Sequence, residues 1–248
     1  MPNPFEKPIV PNRPEASLQE GGVERMNILK TLERLGVDPG IRETVATLNL
    51  LGFPTTESCE GHVDHGNPAA RVSIEAPNKP RWRFVGEEEA FQKAAAKYGV
   101  TVEEILENAR SKYGEDTLPP PNEDTLFQAQ IEAREQTPVN EETAAFKEWR
   151  TQTDALALQL ETWLKEYYRT RTITDDTRLT LDNRNDDRPY RFTLHNGGAA
   201  YLEMADPEAL AASSEEEKRE RSLRQVECLK EMRNFTLFLK QQLKNSQV

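Results

Sequence analysis

Apolar residues recur at helical spacing over several stretches of the chain and alternate with polar ones over others. From Leu18 to Leu35, Val23, Met26, Leu29 and Leu32 mark one helical face, and Gly36 ends the run. Asp38-Pro39 then supplies a helix start, an N-cap followed by a first-turn proline, ahead of Ile41, Val45 and Leu48. Gly52 fits that helix's stop. Phe53 to Cys59 reads as a strand. Ala70 to Ala76 reads as another, with Val72 and Ile74 alternating against Arg71, Ser73 and Glu75. Helices are predicted at 86–98, 101–113 and 123–135, and Thr101 with Glu104 has the spacing of a capping box.

The longest pattern covers 140–169. Phe146, Trp149, Leu156, Leu160, Trp163 and Tyr167 line one face, with Thr153 filling a turn, and the stripe reads as core. Leu179 and Leu181, then Tyr190, Phe192 and Leu194, alternate with polar neighbours across a turn and predict a hairpin. Residues 200–204 suggest a further short strand. A last helix is predicted over 214–244, with Cys228, Met232, Phe235 and Leu239 on one face. The sum is an α+β fold: a mixed or antiparallel sheet of four to five strands covered by long helices. Neither strand pair is stable by itself in water, so the pairs are expected to join in one composite domain over 18–248. Residues 1–17, rich in proline and polar groups, read as a disordered arm.

Composition narrows the function classes. The 248 residues are 36% hydrophobic and 30% charged, with mean hydropathy -0.79. The net charge of -11 repels a polyphosphate backbone and argues against nucleic-acid binding. No apolar run reaches the roughly 20 residues that span a bilayer, and the N-terminus lacks an apolar signal core. These features predict a soluble cytoplasmic protein, with Cys59 and Cys228 as free thiols and Cys228 inert. They set no oligomeric state.

Reactive side chains concentrate between Thr55 and Gly66, which hold one of the two cysteines and two of the three histidines. Three uses compete. Cys59, His62 and His65 stand at three-residue steps and offer thiolate and imidazole to a metal, zinc by donor type, with Asp64 or His195 as a possible fourth ligand. Alternatively, Thr55, Thr56, Ser58, Cys59, Glu60, Gly61 and His62 grip a small polar ligand through hydroxyls, fixed charges and close backbone approach. In the third use Cys59 is a nucleophile with His62 or His65 as base, which Glu57 and Glu60 oppose by raising the cost of a thiolate. The basic residues Arg169, Arg171, Arg178, Arg184, Arg188 and Arg191 lie among aspartates and read as locally neutralised.

Two resemblances bear on function. Leu48-Asn49, Phe53, Thr55-Thr56, Ser58-Cys59 and Gly61 resemble the signature region of the wybutosine-synthesis tRNA methyltransferase family. That likeness implies an adenosylmethionine-dependent RNA-modifying enzyme. Glu57 and Glu60 stand where that family has serines, and His62 where it has arginine. Ser58-Cys59-Glu60-Gly61-His62 and the run Glu231 to Lys240 also resemble a set of bacterial proteins of this size, a likeness that implies no particular activity. The proline-rich arm and long amphipathic helices suggest a third class, a helical scaffold or assembly protein. The leading expectation is a small polar ligand or a metal held at the Thr55–His65 loop.

Overall fold

The computed structural model describes residues 18–63, 69–113, 125–182, 190–197 and 213–245. Outside these lie the arm at 1–17, Asp64 and His65, the hairpin turn with Arg184 and Arg188, and the strand expected at 200–204. Among the described residues the chain is α+β. It has seven helices and a four-stranded antiparallel sheet. In chain order these are α1 (Leu18–Arg34), α2 (Pro39–Leu50), β1 (Thr55–Cys59), β2 (Arg71–Ile74), α3 (Glu87–Tyr98) and α4 (Val102–Tyr113). Then come α5 (Thr125–Gln136), α6 (Ala144–Tyr168), β3 (Leu179–Asp182), β4 (Phe192–Asn196) and α7 (Glu215–Asn245).

The chain divides into two compact units. The first comprises Met1–Ile74, Glu161–Asp182 and Thr193–Val248; the second comprises Glu75–Leu160 and Asn183–Phe192. The division falls within α6.

In the first unit the sheet runs in the order β1-β2-β4-β3. β1 pairs antiparallel with β2, Cys59 opposite Arg71, and β3 pairs antiparallel with β4, Leu179 opposite Asn196. The two middle strands also meet through side chains, the Ser73 and Thr193 hydroxyls lying 3.1 Å apart. β4 is buried at every position rather than alternating, because it is an inner strand with both faces covered.

Helix α2 shows the same departure from a one-sided pattern. Beyond the predicted stripe, Thr44 to Leu48 are buried without a break, since α1, β1 and α7 all pack against it. Ile41, Leu48, Phe53, Met232, Phe235 and Leu239 are wholly buried in this unit. The Thr44 and Thr236 hydroxyls meet at 2.7 Å between α2 and α7.

The second unit holds α3, α4 and α5 around Phe91, Ala94, Ala95, Ile105, Ala129 and Ala133. Four alanines at that seam let the helix backbones approach closely. The capping box at α4 forms as its spacing predicts. The Thr101 amide donates to Glu104 Oε2 at 2.7 Å, and the Glu104 amide donates to Thr101 Oγ1 at 3.1 Å. On α6, Trp149 Nε1 donates to the Ala76 carbonyl at 2.8 Å, and Thr153 Oγ1 accepts the Ala76 amide at 3.0 Å. Thr153 therefore belongs in the aromatic stripe because it satisfies a buried backbone group.

Candidate functional site

The reactive loop begins where β1 ends, in the first unit. Local sequence explains the path. Thr55 to Cys59 pair with β2 through a bulge between Thr55 and Glu57, and Gly61 then takes a φ of +88° that only glycine adopts without strain. The turn is pinned from α7, where Gln225 Nε2 donates to the Gly61 carbonyl at 2.5 Å.

Three potential ligand groups converge at this turn. Asp38, Cys59 and His62 each present a donor atom, and these atoms lie within 4.8 Å of one another. His62 Nε2 stands 3.7 Å from Asp38 Oδ2, with both side chains nearly three-quarters buried, at 28% and 29% exposure. Two consecutive backbone amides point at the oxygen and sulfur donors. Glu60 N–H donates to Asp38 Oδ2 at 3.1 Å, and Gly61 N–H donates to Cys59 Sγ at 3.3 Å.

Asp38 was legible in the sequence as a helix N-cap, and it does occupy that position, with Pro39 following. Its side chain makes no capping hydrogen bond to its own helix. The α2 amide at Gly40 is accepted instead by Glu60 Oε2 at 2.5 Å, from twenty residues downstream. Asp38 and Glu60 therefore exchange bonds: the Asp38 carboxylate takes the Glu60 amide, while the Glu60 carboxylate takes the amide at Gly40.

The other predicted site residues lie apart from the group of three. Thr55 Oγ1 accepts Asn49 Nδ2 at 2.8 Å, a contact between α2 and the start of β1. Thr56 is exposed at the bulge, and Ser58 is half-buried one residue before Cys59. His195 sits on β4, 4% exposed, its Nδ1 2.7 Å from the Asn196 carbonyl and its Nε2 3.8 Å from Asp182. Burial holds its pKa below the ordinary 6.5, against the opposing pull of the Asn196 carbonyl and Asp182. Cys228 is fully buried on α7, and burial pushes its thiol up to about 11, so it stays protonated and unreactive near neutrality.

A buried acid escaped the sequence reading. Glu231 on α7, 2% exposed, accepts Tyr168 Oη–H at 3.0 Å and Arg171 at 2.9 Å. Tyr168 Oη in turn accepts the Leu179 amide at 2.8 Å. Burial, and then the Glu231 charge, push the pKa values of Tyr167 and Tyr168 upward. This network ties the end of α6 and the start of β3 to α7. Its sequence signal is one glutamate beside the apolar stripe of α7.

No protein-family model, curated protein or solved structure matches the chain. Among the described residues, no helix is long and apolar enough to cross a membrane.

Proposed function

We propose that the chain binds a divalent transition metal, zinc by donor chemistry, through Asp38, Cys59 and His62. The observation that carries this reading is the convergence of one oxygen, one sulfur and one nitrogen donor within 4.8 Å. Zinc bonds of about 2.0–2.3 Å in a tetrahedron put neighbouring donors about 3.3–3.8 Å apart. Oxygen and nitrogen donors, with bonds of about 2.0–2.2 Å, belong about 3.3–3.5 Å apart, so the 3.7 Å between Asp38 Oδ2 and His62 Nε2 and the wider set close with side-chain adjustments of up to about 1 Å. Mixed sulfur, nitrogen and oxygen donors favour zinc over magnesium or calcium, which take oxygen. The two amides aimed at Asp38 and Cys59 act as outer partners that orient these two ligands.

Purified full-length protein should bind one zinc ion per chain in a competition titration against a chromophoric chelator. Cobalt in its place should give a thiolate-to-metal charge-transfer band. Cys59→Ala should abolish that band, and Cys59→Ala, His62→Ala and Asp38→Ala should each weaken zinc by at least about tenfold. Unchanged metal content in all three variants would remove the reading. His65→Ala separates the two site types. A similar loss makes His65 a fourth ligand of a closed site, whereas no loss leaves the fourth position to Asp64, to His195 or to water, the last being the arrangement that zinc enzymes use to acidify it.

A further inference from the structure

We infer that Glu60, acting through the Gly40 amide, is the residue that positions Asp38 as a metal ligand. This deepens the zinc reading and rests on it. An aspartate at an N-cap ordinarily accepts an amide from the first turn of its own helix, at the second or third position. In α2 the second position is Gly40, and its amide is already taken by Glu60 Oε2 at 2.5 Å. A carboxylate there also lies at the positive end of the helix dipole, so Glu60 supplies the negative charge that an N-cap aspartate would bring. Asp38 is thereby released from local capping. Its Oδ2 turns to the Glu60 amide and to His62 Nε2, on the side where Cys59 lies.

The exchange links both halves of the site. One carboxylate–amide bond fixes Glu60 on the helix, and the reciprocal bond fixes Asp38 on the loop that carries Cys59 and His62. Glycine at position 40 is part of the device. A Cβ there would collide with the Glu60 carboxylate and stand 2.9 Å from Leu229 Cδ2 on α7. Gly40 does not have a positive φ, so alanine suits the helix backbone and the strain falls on the Glu60 side chain and the tip of Leu229. Gly40→Ala and Glu60→Ala thus break the same bond from opposite ends, and the first deletes no functional group.

The test measures zinc affinity by chelator competition, with cobalt spectra and apo-protein unfolding, for wild type, Glu60→Ala, Gly40→Ala, the double variant and Glu60→Gln. Glu60→Ala and Gly40→Ala should each weaken zinc by about 10- to 100-fold, as loss of an outer-shell partner does. The double variant should be no weaker than the worse single one, because both remove one linkage. Glu60→Gln keeps an acceptor for the Gly40 amide and should recover most of the affinity and the cobalt spectrum. Single variants that fold and bind within about twofold of wild type would overturn the role of Glu60. If Glu60→Ala does not fold, Gly40→Ala decides alone. Failure of the wild type to bind overturns the zinc reading and this inference with it. Wild-type binding with unaffected variants overturns only this inference.

Discussion

At the scale of single residues, what a side chain does here depends on which neighbour reaches it first. Asp38, Glu60 and His195 each show this. His195 has the sequence setting of a strand-end residue, and β4 buries it, so its neutral form is favoured in the native state. The unfolded chain titrates near the ordinary 6.5, while the native pKa lies lower. Just below that pH the unfolded state therefore binds a proton that the native state does not. Stability from this group is complete above the unfolded pKa and declines as pH falls toward the native one. Urea midpoints taken between about pH 7 and pH 5 should drop for the wild type and drop less for His195→Gln. The carboxylates occupy a separate window. Burial opposes ionisation of Glu43, but hydrogen bonds and charge from Arg25 and Lys240 outweigh it and lower its pKa below 4.5. Its contribution is present above the unfolded pKa and is lost only as pH falls through the depressed native value. Equal pH slopes in wild type and His195→Gln would show that His195 carries no part of the acid loss.

At the scale of elements, the pairing of α2 with α7 depends on a buried polar contact as well as on apolar burial. Thr44 and Thr236 are 1% and 4% exposed and their hydroxyls are 2.7 Å apart. Thr236 also donates to the Met232 carbonyl at 2.8 Å, which leaves Thr44 as the donor between the two hydroxyls. Thr236→Val removes the acceptor from a buried donor, a loss of about 1–3 kcal/mol. Valine at both positions removes both polar groups and keeps the β-branched shape. The double variant should therefore lose less than the sum of the singles in a chemical-denaturation cycle. Strict additivity would show that the hydroxyls do not couple. Helix positions, in contrast, follow local rules closely: α4 starts at its capping box, and α1 and α2 stop before the positive-φ glycines Gly36 and Gly52. Ser214 and Glu217 repeat the capping-box device at the start of α7.

At the scale of the molecule, the first unit joins distant parts of the chain. Its sheet places β1 and β2 beside β4 and β3, and α7 supplies Cys228, Met232, Phe235 and Leu239, all fully buried. A chain ending at residue 212 lacks those four side chains and the Gln225 contact to Gly61. Hydrogen exchange should show α2 amides losing their protection in this truncated chain, since α2 loses a flank along its buried length. Native-like protection of Ile41 to Leu50 would show that α7 is dispensable to that core. The same assembly explains why Glu231 went unnoticed. An acid beside an apolar helix stripe acquires meaning only when Tyr168 and Arg171 arrive from α6 and its C-terminal flank.

Sequence alone determined the α+β class, the order of the described helices and strands with their approximate bounds, and the core role of the long aromatic stripe, and it placed Cys59 and His62 in the loop with the densest reactive side chains. These follow from periodicity, turn chemistry and residue type, which act over a few neighbouring positions. Tertiary structure decided that α2 and β4 are covered on more than one side, that Asp38 joins Cys59 and His62, and that Glu60 caps a helix twenty residues upstream. Those facts depend on which distant groups share a few ångströms. Local patterns do not encode such pairings, because a side chain's partner is selected by the packing of whole elements.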